Sequence, residues 1–426
     1  MLKQKDVLVI LALLFTPLVL LGITLAFYYN QHHTFPDAGK WCIWDCGWYN
    51  GMREHGYIYK AGQQNNLAFF PLFPLVWKAL GVGNIGMGII NYLIFASSAW
   101  VLIKQFDVSL RTTVVFLGVG LIPFFMVPYT ESFFFLGALL LILGFKKQNY
   151  LLLTLGAVVA IGTRSASMIF LVSFVFMLVL ALMQQKRFTE YKIILFAMLA
   201  VVLVNASVFY YQYAQTGKLL GCFEAHKYWD HFLRWPKLVN VSWHKPVALT
   251  ENFALMVGLF CKLILSTYFL NILFNKIKLT NPLAKVFKIN EALNTTDLFV
   301  LLYLSGGTSF ILLYQQESLA SLNRYVLSTP FYLLLLHLLA SGKIQFNIRP
   351  VIWFGMMVLL GFTVSHSHIE HKLFMVLAAT LSTTTVFFAL PQNTKFYKVI
   401  SYVTCAAGLV LQGFLFHYFI SGNWVG

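Results

Sequence analysis

The sequence predicts an all-α polytopic membrane protein, and three observations lead there. Apolar residues make up 59% of the 426-residue chain and charged residues 10%, against about a quarter charged in a soluble domain. Continuous apolar runs such as residues 7–28, 193–213 and 298–314 match or approach the ~20 helical residues that cross a hydrocarbon core. They do not alternate apolar with polar, so they do not read as β-barrel strands. The breaks between runs carry lysine and arginine at alternate turns, as in a chain that keeps its basic loops on one side of a bilayer. The formal charge of +16 would suggest nucleic acid in a soluble protein. Here it reads as that bias, and no nucleic-acid partner is expected.

Assigning the breaks to alternate sides orders the elements. Lys3 and Lys5 place the start inside. The run 7–28 is longer than the ~7–15-residue core of a signal peptide and is followed by no small-x-small cleavage pattern, so it reads as a retained anchor. It delivers a long first outer loop, residues 29–81. A span near 83–103 returns to Lys104 and Arg111, and one near 112–127 ends at the outer turn Pro128, Tyr129, Thr130, Glu131. The next returns to Lys146 and Lys147. A short pair, 151–162 and 165–183, turns outside at Arg164 and ends at Lys186, Arg187 and Lys192. A span to Tyr213 opens a second long outer loop, 214–250, whose return ends at Lys276, Lys278, Lys285 and Lys288. Runs 298–314, 325–340 and 351–364 follow, with 315–324 outside, Lys343 and Arg349 inside, and a histidine cluster at 366–371 outside. Two further spans have Lys395 and Lys398 between them. This makes about thirteen spans in a single membrane domain over 1–426, with an outer C-terminus.

Most polar residues of interest fall on the outer side: Asp45, Glu54, Glu131, Arg164, Glu224, His226, Asp230, Glu317 and Arg324, while the inner loops carry mostly lysine. A transporter places such groups near mid-membrane and shows internal repeats. Here the spans hold only Asn205, Lys262 and His337, and no repeat is visible. An enzyme working at one face stacks its polar groups at that face.

Each candidate has a structural reading beside the functional one. Residues 48–54 read as a short interfacial helix with Asp45 and Tyr49 on one face. His55, Gly56 and Tyr57 end it, Gly56 suiting a left-handed cap. Phe69, Phe70, Pro71 and Pro74 mark a bent re-entry, since each proline lacks an N–H and holds the preceding residue extended. Asp45 fits a helix N-cap or a general base where aromatic neighbours keep water out. Glu54 is an exposed helix acid or a second catalytic group. Thr130 and Glu131 suit a helix start, yet an ionisable group at the edge of hydrocarbon is a functional candidate. Arg164 and Arg324 are isolated cations that call for snorkelling, a partner such as Glu131, or an anionic ligand, and arginine forks hold phosphate well. His226 and Asp230 lie four apart on one helix face, beside Lys227. The cluster 366–371 matches no zinc-ligand spacing, and Asn240, Val241 and Ser242 form a weak glycosylation sequon. Cys42 and Cys46 either pair in an oxidising compartment or stand as two unlinked small residues, the plainer reading.

In this order and spacing the motifs resemble the GPI mannosyltransferase 2 family (the PIG-V type). The resemblance rests on Trp44–Asp45, then Glu54–His55–Gly56–Tyr57, then Ala68–Phe69–Phe70–Pro71 and Pro74. Tyr129–Thr130–Glu131–Ser132 is similar to that family's Tyr-Ser-Glu turn, and Thr163–Arg164–Ser165 to its Arg-Ser turn. Asn323–Arg324–Tyr325 with Ser328–Thr329–Pro330 is similar to its late arginine motif. The segment 216–236, with Ala225–His226 and Trp229, resembles an outer loop of bacterial members. Ala166 and Ser167 stand where the family continues Asn-Gly, and the last spans match no motif. The resemblance implies a GT-C-like bundle and an inverting glycosyltransferase. Such an enzyme would move a hexose, mannose by the resemblance alone, from a polyprenyl- or dolichyl-phosphate donor to a hydroxyl on a glycan, lipid or protein. It implies a site on the extracytoplasmic face, periplasmic or extracellular in a bacterial inner membrane and lumenal in an endoplasmic reticulum. On this reading Asp45 is the base, with Glu54 next. Arg164 and Arg324 meet the leaving phosphate, with His226 and Lys227 in reserve. Glu131, His55, Tyr57, Tyr49, Phe70 and Pro71 complete the substrate site. No metal or other cofactor is expected. A transporter or flippase of a lipid-linked sugar is the alternative.

Overall fold

The computed structural model describes residues 4–165, 167–233, 235, 247–276, 287–289, 293–314, 319–346 and 395–425. The expected run 351–364, the cluster 366–371, Glu317 and the sequon at Asn240 lie outside the described residues. Helix α1 (Gln4–His32) is followed by two short helices of the first loop, α2 (Asp45–His55) and α3 (Leu72–Leu80). Then come α4 (Asn84–Phe106), α5 (Leu110–Val119), α6 (Glu131–Lys147), α7 (Tyr150–Thr163), α8 (Ser167–Met183) and α9 (Phe188–Thr216). The second loop holds α10 (Gly221–Tyr228). After it come α11 (Val247–Lys276), α12 (Thr295–Tyr314), the short α13 (Leu322–Val326), α14 (Pro330–Ala340) and α15 (Lys395–Ile420).

Six of the described helices are long and apolar enough to cross a membrane by length and composition, and four shorter ones are apolar too. The side chains agree. Leu11, Phe15 and Leu18 of α1 are exposed while Val9, Leu13 and Leu20 are buried. A greasy outward face with its backbone bonded internally suits lipid rather than water. The chain is an all-α, multi-pass integral membrane protein. The one departure among the described residues is a two-stranded antiparallel ribbon, β1 (Phe287–Ile289) against β2 (Ile344–Phe346), which ties two connections together.

Two expected spans are shorter than their apolar runs. The run 112–127 is helical only to Val119. Gly120 follows, Leu121 takes φ 51°, and Pro123 sits in a 3-10 turn, Ile122–Phe125. Proline cannot continue the α-helical bonding. The run 325–340 divides into α13 and α14, where Thr329 Oγ1 accepts from the Tyr332 N–H and Pro330 opens the second helix, a position that suits proline's fixed φ.

Close packing sets where the helix ends fall. The α6–α7 hairpin depends on Gly137 and Gly156. A Cβ on Gly137 would lie 2.4 Å from the Ala160 nitrogen, and one on Gly156 would lie 2.6 Å from the Leu141 nitrogen. Small residues let membrane helices approach at backbone distance. Asn91 of α4 donates its Nδ2 to the carbonyls of Val127 (2.6 Å) and Tyr129 (2.9 Å), clamping the turn before α6.

The bundle therefore has two chemically distinct ends. One carries α2, the start of α6 and the end of α7. The other carries lysines: Lys5 pairs with Asp107 at 2.6 Å, Lys343 pairs with Asp297, and Lys146 donates to the Gln105 carbonyl. Acids thus occur at the lysine-rich end too. The expectation that it carries little but lysine is corrected, since Asp107 and Asp297 serve there as local counter-charges.

Candidate functional site

Four chain segments meet at the end that carries α2 and the start of α6. Glu131 opens α6 and is 0% exposed. Its Oε1 accepts from Arg324 Nε (2.7 Å) and from Arg164 Nη1 (3.0 Å). Arg324 reaches further and donates from Nη1 to Asp45 Oδ2 at 2.7 Å. One arginine thus bridges two acids, and one acid bridges two arginines. Arg164 is 7% exposed and Arg324 is 2% exposed. Two acids against two cations leave the cluster neutral, which such burial requires.

Local sequence places each member. Arg164 follows the last residue of α7 in extended backbone (φ −141°, ψ 141°), with its guanidinium 4.3 Å from the centre of the Tyr325 ring. Arg324 lies in α13. Its neighbour Asn323 donates to Thr250 Oγ1 (2.9 Å) and to the Val425 carbonyl (3.0 Å), so the helix is tied to α11 and to the residues after α15. Tyr129, whose ring lies 4.7 Å from the Arg324 guanidinium, donates its hydroxyl to the Ile43 carbonyl at 3.1 Å. Asp45 is the first residue of α2. The capping position is Trp44, at φ 55° and ψ −121°, and no side chain caps the helix. The N-cap role for Asp45 is thereby corrected: its carboxylate is committed to Arg324. A bulky residue at positive φ costs about 1–3 kcal/mol and persists only where its surroundings impose it. Cys42 and Cys46 are joined in a disulfide around residues 43–45. The unlinked reading of these cysteines is also corrected.

The cluster borders a chamber of about 440 Å³, lined by Asp45, Arg164 and Arg324 and walled by aromatic rings including Trp44, Trp48, Tyr49 and Trp229. A second chamber of about 420 Å³ adjoins it, lined mostly by apolar side chains such as Leu171, Val202, Phe209 and Phe310. Phe70, Ser165, His226, His231 and Tyr325 line both. At this junction His226 Nδ1 and His231 Nδ1 are 3.1 Å apart. Burial pushes His226 down to about 4, with the neighbouring His231 adding to it.

Not every sequence candidate reaches the chamber. Tyr49 does, four residues after Asp45 on α2, and burial raises its phenol above the ordinary tyrosine range. Glu54 does not. It faces away, held by Arg53 at 3.0 Å, and that hydrogen bond lowers it below the usual carboxylate range. His55 is exposed beside it. Tyr57 is a strut: its hydroxyl donates to the Phe69 carbonyl (2.7 Å), and its N–H donates to Gln215 Oε1 (2.8 Å) at the end of α9. Pro71 is buried at the cap of α3, and Lys227 is exposed outside the chamber. Glu224 accepts from the Tyr59 hydroxyl at 2.5 Å, which pushes that phenol up to about 12 and joins the two loops. His231, Ser321 and Trp424 line the chamber without having been singled out in the sequence. Trp424 packs edge-on against Trp44, ring centres 5.5 Å apart. Its only sequence signal is a tryptophan just beyond the last apolar run.

No protein-family model matches the chain, and no curated protein or solved structure matches it either.

Proposed function

We propose that the protein is an inverting glycosyltransferase of GT-C-like architecture with about thirteen spans. It would transfer a hexose from a polyprenyl- or dolichyl-phosphate donor to an acceptor hydroxyl at the extracytoplasmic face. The observation that carries this reading is the adjoining pair of chambers: Asp45 and two arginines line one with aromatic walls, and it shares five lining residues with a more apolar one. The donor's phosphate and sugar occupy the first, and its lipid stem the second. That the sugar is mannose rests on the motif resemblance.

The chemistry follows from the contacts. Arg324 Nη1 holds Asp45 Oδ2 at 2.7 Å. An entering phosphate gives Arg324 Nη1 a second anion, which weakens its hold on Asp45 and leaves the carboxylate free to accept the hydroxyl proton. The acceptor oxygen attacks the anomeric carbon from the side opposite the phosphate. The carbon–oxygen bond to phosphate breaks, its electron pair leaves with the lipid phosphate, and the configuration inverts. The extra negative charge develops beside Arg324 and Arg164, where fixed cations in a site shielded from water stabilise it best. Glu131 keeps both guanidiniums in place.

The test is transfer from radiolabelled polyprenyl-phosphate mannose in proteoliposomes, with a crude lipid extract as acceptor. Asp45→Asn should lower the rate by about 10²–10⁴-fold, the usual contribution of a positioned base. Equal rates in both proteins would remove Asp45 from the role. Absence of transfer by the parent across several acceptor extracts, with lipid flipping in its place, would replace the reading by a transporter.

A further inference from the structure

We propose that the disulfide between Cys42 and Cys46 is a positioning device for Asp45, holding its carboxylate against Arg324 in the polar chamber. This rests on the functional role given to Asp45 above, and its main test does not depend on that role.

The disulfide closes a ring around Ile43, Trp44 and Asp45. Two of these three, Trp44 and Asp45, line the chamber. The ring is held from outside at several points. Cys46 is fully buried. The Ile43 carbonyl accepts from the Tyr129 hydroxyl at 3.1 Å, and Tyr129 belongs to the turn that presents Glu131. The Trp44 indole packs on Trp424. Within the ring the first turn of α2 is already closed, with the Cys46 N–H on the Ile43 carbonyl (3.2 Å) and the Gly47 N–H on the Trp44 carbonyl (3.0 Å).

The residue before the acid shows what the ring imposes. Trp44 sits at φ 55°, a region that bulky side chains avoid. Nothing in tryptophan favours it, and the covalent closure acts there with the Tyr129–Ile43 hydrogen bond and the Trp424 packing. Opening the ring lets Trp44 return to negative φ. Rotation at that residue swings the following carboxylate away from Arg324, while Arg324 remains on Glu131. The acid that must meet a substrate hydroxyl is thus placed by a covalent clamp rather than by its own hydrogen bonds to backbone.

The experiment is a double-mutant cycle on thermal unfolding of the purified full chain in detergent. Asp45→Asn is made in the parent and in Cys42→Ser/Cys46→Ser. The expected result is that Asp45→Asn lowers the midpoint clearly in the parent and by much less once the ring is open, because the carboxylate no longer sits on Arg324. A disulfide with a merely structural role lowers both midpoints together and leaves the cost of Asp45→Asn unchanged; that outcome overturns the proposal. Should the double variant not fold, Cys42→Ser alone opens the ring while Cys46 keeps its buried site, and the same cycle is run on it. Thiol labelling of protein taken directly from membranes is the second check: both cysteines should resist labelling, and labelling of both overturns the proposal. Sugar transfer measured alongside should fall in the ring-opened variants. A parent with no transfer activity would sink the glycosyltransferase reading and leave the cycle to decide this one.

Discussion

The two ends of the bundle use the same kind of contact for different ends. At the lysine-rich end Lys5 and Asp107 meet at 2.6 Å with side chains 35% and 95% exposed. At the other end Arg324 and Glu131 meet at 2.7 Å with side chains 3% and 0% exposed. Exposed pairs gain little, because water already solvates both partners. Buried ones carry a desolvation cost that an apolar replacement would avoid. At the Arg324 end four charged side chains are clustered together, and three of them line a chamber. Distance alone would rank these two pairs as equals; burial separates them.

That contrast can be broken by substitution. The largest stability effect should come from Glu131→Gln, which leaves Arg164 and Arg324 with Asp45 as the remaining acid of the cluster. Removing one partner of a buried pair costs about 3–5 kcal/mol, visible as a large fall in the unfolding midpoint in detergent. A change no greater than that of an exposed pair would erase the distinction between the ends.

A smaller effect tests burial at the junction of the chambers. His226 stays neutral in the folded protein down to about pH 4, while a histidine in an unfolded chain protonates near 6.5. Between these values the unfolded state binds more protons, so stability should decline as pH falls through that window. His226→Gln should flatten the decline between pH 7 and pH 4.5, measured by the same melts. An unchanged slope would mean that His226 titrates as it does in water. The smallest effect belongs to Lys5→Ala, expected to cost about 0–1 kcal/mol and to fade further in high salt.

Much of the site was legible in the sequence, but only as separate residues. Asp45, Glu131, Arg164 and Arg324 stand out because each is an ionisable side chain at the edge of an apolar run, and such residues are expensive there unless used. The Glu131–Arg164 pairing was among the partners the sequence suggested. The Arg324–Asp45 contact was not, since 279 positions separate them and no local pattern links them. Glu54 shows the opposite case. Beside Asp45 in the same loop it looked like a second acid, but it lies nine residues further along α2, away from Asp45's face, where Arg53 takes it. Trp424 carries no such mark, because its significance comes only from the packing of the final residues against Trp44.

The sequence by itself determined the solvent and the class of secondary structure, because the cost of burying or exposing each side chain is local and additive along an apolar run. It also marked which charged residues needed an explanation. Only the tertiary structure decided that four of them form one neutral cluster, that two chambers join at His226 and His231, and that a disulfide rings the acid. Those facts depend on which helix ends meet. That is set by close packing between distant segments, such as Gly137 on Ala160 and Asn91 on the turn before α6, and no periodicity in the chain encodes it.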